Sequence, residues 1–278
     1  MAVRTALVLG AGGVTGAAWQ AGMIAGMAEL GLDLDAERVI GTGCGALVAA
    51  QLTSGRDAQR VVESLAAPLA SLRPTPWTVP LRHAVVQLQP SHKHAVQAVG
   101  RSAIRKWTPQ WQAVRIEQLA ADLVGVPWPK SLVIIATNAV TGRPAYFTAR
   151  EPLDVATAVA ASWAVAGIHP AVRVDSQWYI DGALRSPLNA DVASGAASVI
   201  VLAPSGRVGD ITGCVRRQAQ GLRSAQSVVR MIGPDRASRI AMAAEADLGR
   251  GVGATMAAGR NQGQCYGAQF AGQWPGLG

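Results

Sequence analysis

The chain has 278 residues, half of them hydrophobic and 15% charged, which is enough apolar material for one substantial core and too little charge for a disordered chain. Its net charge of +8 is mostly arginine and points to anionic partners such as phospholipid headgroups; nucleic acid is not an expected partner, because no platform of interleaved aromatic and basic residues is present. Cys44, Cys214 and Cys265 are odd in number and far apart, which argues against a disulfide framework and for a reducing, cytoplasmic setting.

No Ser/Pro/Gly linker divides the sequence, so one domain over 1–278 is expected. From Thr5 to Ala28 there is no charged residue, a pattern that a signal peptide or membrane span would share. Six glycines interrupt that run, and a strand followed by a glycine loop explains it without a membrane.

Thr5 to Leu9 reads as a buried parallel strand, Gly10 to Gly16 as a loop, and Ala17 to Leu30 as a buried helix ended by Gly31. Arg38 to Gly41 supplies a second strand and Ala46 to Thr53 a second helix. Strand, loop, helix, strand, helix in under sixty residues predicts an α/β fold with a mainly parallel sheet. Residues 71–130 differ in character, with seven prolines and four of the eight tryptophans, and are expected to form a helical cap. Those tryptophans either pack the cap onto the core or, beside Arg101, Arg105 and Lys106, face a lipid surface.

Ser131 to Val140 is the strongest strand pattern, followed by a turn at 141–144. Asp154 can cap a helix running to Trp163. Gly167 to Val174 and Gln177 to Ile180 read as strands leading into Asp181-Gly182-Ala183, and Ser198 to Ala203 as another. Beyond Asp210 the pattern is helical with an arginine-studded face, and 251–278 is rich in Gly, Ala and Gln with one more helix before a frayed end.

The first glycine loop joins a strand to a helix, yet it is not a dinucleotide fingerprint. Counting from Gly10 and Gly12, the third glycine should fall at Thr15, and no acidic ribose ligand ends the second strand. As consecutive backbone N–H donors at a helix N-terminus, the loop suits an oxyanion hole better. The segment Gly41-Thr42-Gly43-Cys44-Gly45, between strand and helix, has the frame of a nucleophile elbow, G-x-S-x-G, with glycine at the nucleophile position.

In order and spacing, the glycine loop, this elbow and Asp181-Gly182-Ala183 resemble the patatin-like phospholipase family, over roughly Arg4 to Gln273. The resemblance implies a three-layer α/β/α fold with a helical cap and a serine-aspartate dyad without histidine. Carried over by position, Asp181 is the base, Gly12 and Gly13 the oxyanion loop, Gly41 and Gly45 the elbow frame, and Gly43 stands where the serine should be. Thr15 stands where many members carry a cation, and Ala166 where a proline is common.

Cys44, one residue past the apex, is a surrogate nucleophile if the helix N-terminus lowers its pKa; otherwise it is a small packing residue. Ser162 reads as structural. No cofactor and no metal is implied. Two functions follow: a lipid acyl hydrolase in which Asp181 activates Cys44 or a water, or an impaired relative that binds lipid or touches anionic membranes peripherally.

Overall fold

The computed structural model describes residues 3–56, 58–71, 85–86, 88–89, 91–205, 214–248 and 252–270. The first half comprises β1 (Thr5–Leu9), α1 (Gly13–Glu29), β2 (Arg38–Thr42), α2 (Cys44–Thr53), α3 (Ala58–Ser71), α4 (His92–Ile104) and α5 (Pro109–Ala120). There follow β3 (Leu132–Asn138), β4 (Pro144–Phe147), α6 (Val155–Ser162), β5 (Val172–Val174) and β6 (Gln177–Asp181). The chain continues with β7 (Ser198–Leu202), α7 (Cys214–Ser224), β8 (Val228–Ile232), α8 (Arg236–Leu248) and α9 (Gly253–Phe270).

The sheet runs β5-β6-β3-β2-β1-β7-β8, with β4 also paired to β3. The strands from β3 through β8 in that order are parallel; β4 and β6 pair antiparallel with β3, and β5 pairs antiparallel with β6. All five residues of β1 are buried, as a strand covered on both faces requires. Leu7 and Leu9 join one apolar cluster with residues of α1, α2 and α6, while Ala6 and Val8 join another with Val215 and Leu222 of α7. Three layers result.

α1 and α9 pack through glycine. A Cβ at Gly22 would lie 2.2 Å from the Met256 carbonyl oxygen, and one at Gly26 2.0 Å from that of Arg260. From the other helix, Cβ atoms at Gly259 and Gly263 would meet the Trp19 and Met23 carbonyl oxygens at 2.5 and 2.3 Å. Gln262 of α9 fixes the pair in register: its Oε1 accepts from Trp19 Nε1 at 2.9 Å, and its Nε2 donates to the Gly233 carbonyl at 2.8 Å. The charge-free glycine run is thus one half of a helix–helix seam, and no helix among the described residues is long and apolar enough to cross a membrane.

Three expectations need correction. α1 begins at Gly13, four residues early, because the glycine loop itself turns into its first turn. Of the strand expected over 167–174 only Val172–Val174 forms, since Ile168 and His169 fold back onto the Val165 carbonyl. The region beyond Asp210 is not all helical: Val228–Ile232 breaks it and adds a parallel edge strand to β7. The helix expected within 251–278 forms as Gly253–Phe270 and packs against α1; 271–278, read as a frayed end, lie outside the described residues.

Of the span 71–130 expected as a cap, residues 72–84, 87 and 90 lie outside the described residues, Trp77 among them. The remainder holds α4 and α5, the latter started by Thr108, whose Oγ1 accepts from the Trp111 N–H, with Pro109 in first position. Trp107 meets Trp178 edge-to-face at 5.2 Å, and Trp111 and Trp128 pack against the main core. These three tryptophans pack inward, against Trp178 of β6 and the main core.

Candidate active site

The site motifs meet at the carboxyl ends of the parallel strands, where open α/β sheets hold their ligands. β1 ends in Gly10 and the loop that becomes α1; β2 ends in Thr42 and the turn that becomes α2. The register along β3 brings in the third element: Ile135 pairs with Thr42, and the next residue, Ala136, pairs with Asp181.

Gly43 caps α2 with φ +60° and ψ −124°, a backbone shape that side chains rarely adopt and nucleophile elbows do. A Cβ built there would stand 3.5 Å from Asp181 Oδ1 and 3.1 Å from the Ala11 Cβ. A hydroxyl on that carbon falls within hydrogen-bond reach of the carboxylate. The close-packed Gly45 has a different reason to be glycine, since a Cβ would come within 2.2 Å of the Leu9 carbonyl oxygen. Gly41 is equally constrained, its Cβ position lying 2.5 Å from the Ala46 Cα.

Asp181 is held at every backbone atom able to bond. Its N–H donates to the Ala164 carbonyl, its own carbonyl accepts from Thr137 Oγ1, and its Oδ1 accepts from the Ala183 N–H at 2.9 Å. Burial pushes its carboxyl up to about 7, with the Ala183 bond working in the opposite direction.

Cys44 faces inward, fully buried. The Gly12 N–H donates to its sulfur at 3.1 Å, and the thiol lies 3.6 Å from the Gly10 carbonyl oxygen. Burial pushes this thiol up to about 12; the backbone amides of Gly12, Gly13 and Gly45 oppose that, and the nearby Asp181 adds to it. The depressed pKa that would make Cys44 a surrogate nucleophile is therefore reversed, because desolvation outweighs the amide dipoles. The N–H of Gly12, a residue expected to be an oxyanion donor, is thus directed at sulfur.

Two positioning residues have no motif signature. Ser162, at the end of α6, accepts from the Gly43 N–H at 2.9 Å and donates to the Ile135 carbonyl at 2.6 Å. Buried Asn189, in the left-handed region at φ +51°, donates to Thr42 Oγ1 and to the Gly182 and Ser186 carbonyls, so it joins the end of β2 to the turn after Asp181. Its place after Ser186-Pro187-Leu188 is a turn signal that sequence could have offered. Gly12 and Gly13, Gly43 with Cys44, and Asp181 are thus gathered around one point.

The sequence pattern of the family described as patatin-like phospholipase matches residues 7–194, which include all three motifs. The chain belongs to the patatin-like phospholipase family. It is a family of lipid acyl hydrolases, and the match stops short of α7, β8, α8 and α9, whereas the resemblance in the motifs alone suggested a longer reach. Among solved structures, VipD from Legionella pneumophila is 12% identical with TM-score 0.43, over 87% of this chain and 55% of that one. The type III effector protein ExoU is 18% identical with TM-score 0.41, over 96% of this chain and 53% of that one. The chain spans about half the length of either structure. No functionally curated protein matches it.

Proposed function

We propose that the chain hydrolyses carboxylic esters of lipids with Asp181 as general base and a water molecule in place of the elbow hydroxyl. The observation that carries this reading is the Asp181 carboxyl, raised to about 7 and 3.5 Å from where a Cβ at the elbow apex would be. A carboxylate with that basicity accepts a proton effectively near neutral pH, whereas an ordinary one does so weakly.

In this scheme the carboxylate takes a proton from water as the oxygen adds to the ester carbonyl. The resulting oxyanion is stabilised by the amides of the glycine loop and of the α2 N-terminus. Collapse expels the alkoxide, which takes its proton back from Asp181, leaving the free acid. Cys44 takes no part, since at neutral pH a thiol with its pKa near 12 holds its proton.

Losing the nucleophile costs a serine hydrolase about six orders of magnitude, while binding and the oxyanion hole retain roughly 10³ to 10⁴ over water. Slow turnover is therefore expected. The test is hydrolysis of short- and long-chain esters by the chain, by Asp181→Asn and by Gly43→Ser. Loss of slow hydrolysis in Asp181→Asn and a gain of at least about 100-fold in Gly43→Ser support the proposal. Equal rates in all three overturn it.

The bare apex at Gly43 and the Gly12 amide directed at sulfur favour a second reading, a relative that binds lipid with little turnover. Its net charge of +8 then predicts co-sedimentation with anionic vesicles that added salt weakens, with no ester cleaved.

A further inference from the structure

Arg115 lies on the buried side of α5 at 6% exposure. Its Nε has no hydrogen-bond partner, and no acidic side chain among the described residues pairs with its guanidinium. One face of the group is covered by the Trp163 ring, whose centre is 5.6 Å from the guanidinium carbon. The imidazole of His169 supplies no compensating negative charge: its Nδ1 accepts from the Val165 N–H at 3.1 Å, and burial together with the charge of Arg115 pushes its pKa down to about 3. Burial likewise lowers Arg115 to about 10, so at neutral pH the guanidinium remains charged.

A buried, charged, unpaired guanidinium is among the costliest arrangements a fold can carry, and replacing it by an apolar side chain ordinarily stabilises. A guanidinium with an unpartnered Nε–H has the donor chemistry that a carboxylate or a phosphate oxygen satisfies. The position relates it to the active site through four consecutive residues. Ser162 holds the Gly43 amide, Trp163 stacks on Arg115, the Ala164 carbonyl accepts from the Asp181 N–H, and the Val165 N–H reaches His169.

We propose that Arg115, stacked on Trp163 beside the 162–165 segment, is a binding site for a ligand oxyanion, a carboxylate or a phosphate. Identifying that oxyanion as part of the ester substrate or its acid product rests on the hydrolase proposal; binding itself does not. The bound anion supplies the charge that the fold withholds, and the 162–165 segment couples its presence to the elbow and to Asp181.

The experiment follows the Arg115 Nε–H resonance, identified by its loss in Arg115→Lys, while the chain is titrated separately with inorganic phosphate and with butyrate at constant ionic strength. A saturable shift, with a matching rise in Tm that Arg115→Met does not share, supports the site. A response to phosphate alone assigns it to a headgroup, and a response to butyrate alone to the released acid. Arg115→Met keeps the hydrophobic bulk and is expected to raise the Tm of the anion-free chain. A resonance unmoved by either anion, or an Arg115→Met variant that responds as the parent does, overturns the proposal. Because the readout is binding, that result leaves the Gly43→Ser outcome intact, and loss of hydrolysis with binding preserved counts against the hydrolase proposal alone.

Discussion

The Ser162 hydroxyl accepts from the Gly43 N–H at 2.9 Å and donates to the Ile135 carbonyl at 2.6 Å, so one side chain ties the elbow apex to the neighbouring strand. Ser162→Ala leaves a buried donor and a buried acceptor unpaired, which costs about 1–3 kcal/mol. Thermal unfolding should register that loss as a lower Tm. In a Gly43→Ser background the same change is expected to lower kcat more than it raises KM, because it loosens the nucleophile rather than the substrate.

Asp181 sets a pH dependence of stability opposite to that of a salt-bridged carboxylate. Its folded-state pKa is raised to about 7 from 3.8, so between those values the unfolded chain gives up its proton while the folded chain keeps it. Stability from this group is full below about pH 4, falls as pH rises toward 7, and stays low above that. Asp181→Asn removes the penalty, and denaturant titrations should find it more stable than the parent at pH 8, by on the order of 1–4 kcal/mol, and nearly equal at pH 4. The ester-hydrolysis rate should rise through the same interval as the base ionises.

Cys44 should be chemically silent. Iodoacetamide at pH 7.5, a condition set by the thiol range of about 8 to 9 for ordinary cysteines, is expected to modify exposed Cys265 in the native chain and to leave Cys44 untouched until unfolding. Mass spectrometry of the peptides decides this. Cys44→Ala frees the Gly12 amide for a developing oxyanion, so hydrolysis should be retained or increased. Loss of hydrolysis in that variant would restore the thiol to the mechanism.

The α1–α9 seam and the open surface of α7 predict opposite signs for two glycine-to-alanine changes. Gly26→Ala drives a methyl into the backbone of Arg260 and should destabilise by about 1–3 kcal/mol or more. Gly221→Ala, in α7 with open space around it, should stabilise by about 0.5–1 kcal/mol through helix propensity alone. Paired denaturation curves check both.

Much of the site was legible because its signals are local. The apolar run Thr5–Leu9, the glycines on either side of Gly43 and the turn at Asp181 each declare themselves within a few residues, and parallel strand order then brings their ends together. Ser162 was not legible in this way: it lies 119 residues from Gly43, and a serine at the end of an alanine-rich helix looks like any other. Cys44 was legible in two ways, as a thiol activated by the helix terminus or as a small packing residue, and the extent of its burial, which local sequence does not give, separates them. β8 escaped because five residues between arginine-rich helices are too few to establish a period of two against a period of 3.6.

The glycine seam also bears on the order in which the protein can be made. The glycine face of α1 is closed by residues 253–270, more than two hundred positions downstream and beyond the stretch that matches the family. During synthesis the loop, the elbow and Asp181 all emerge while that face of α1 is still bare. The helix that positions Gly12 and Gly13 gains its outer wall only after residues 253–270 have emerged, so the site motifs precede their own support.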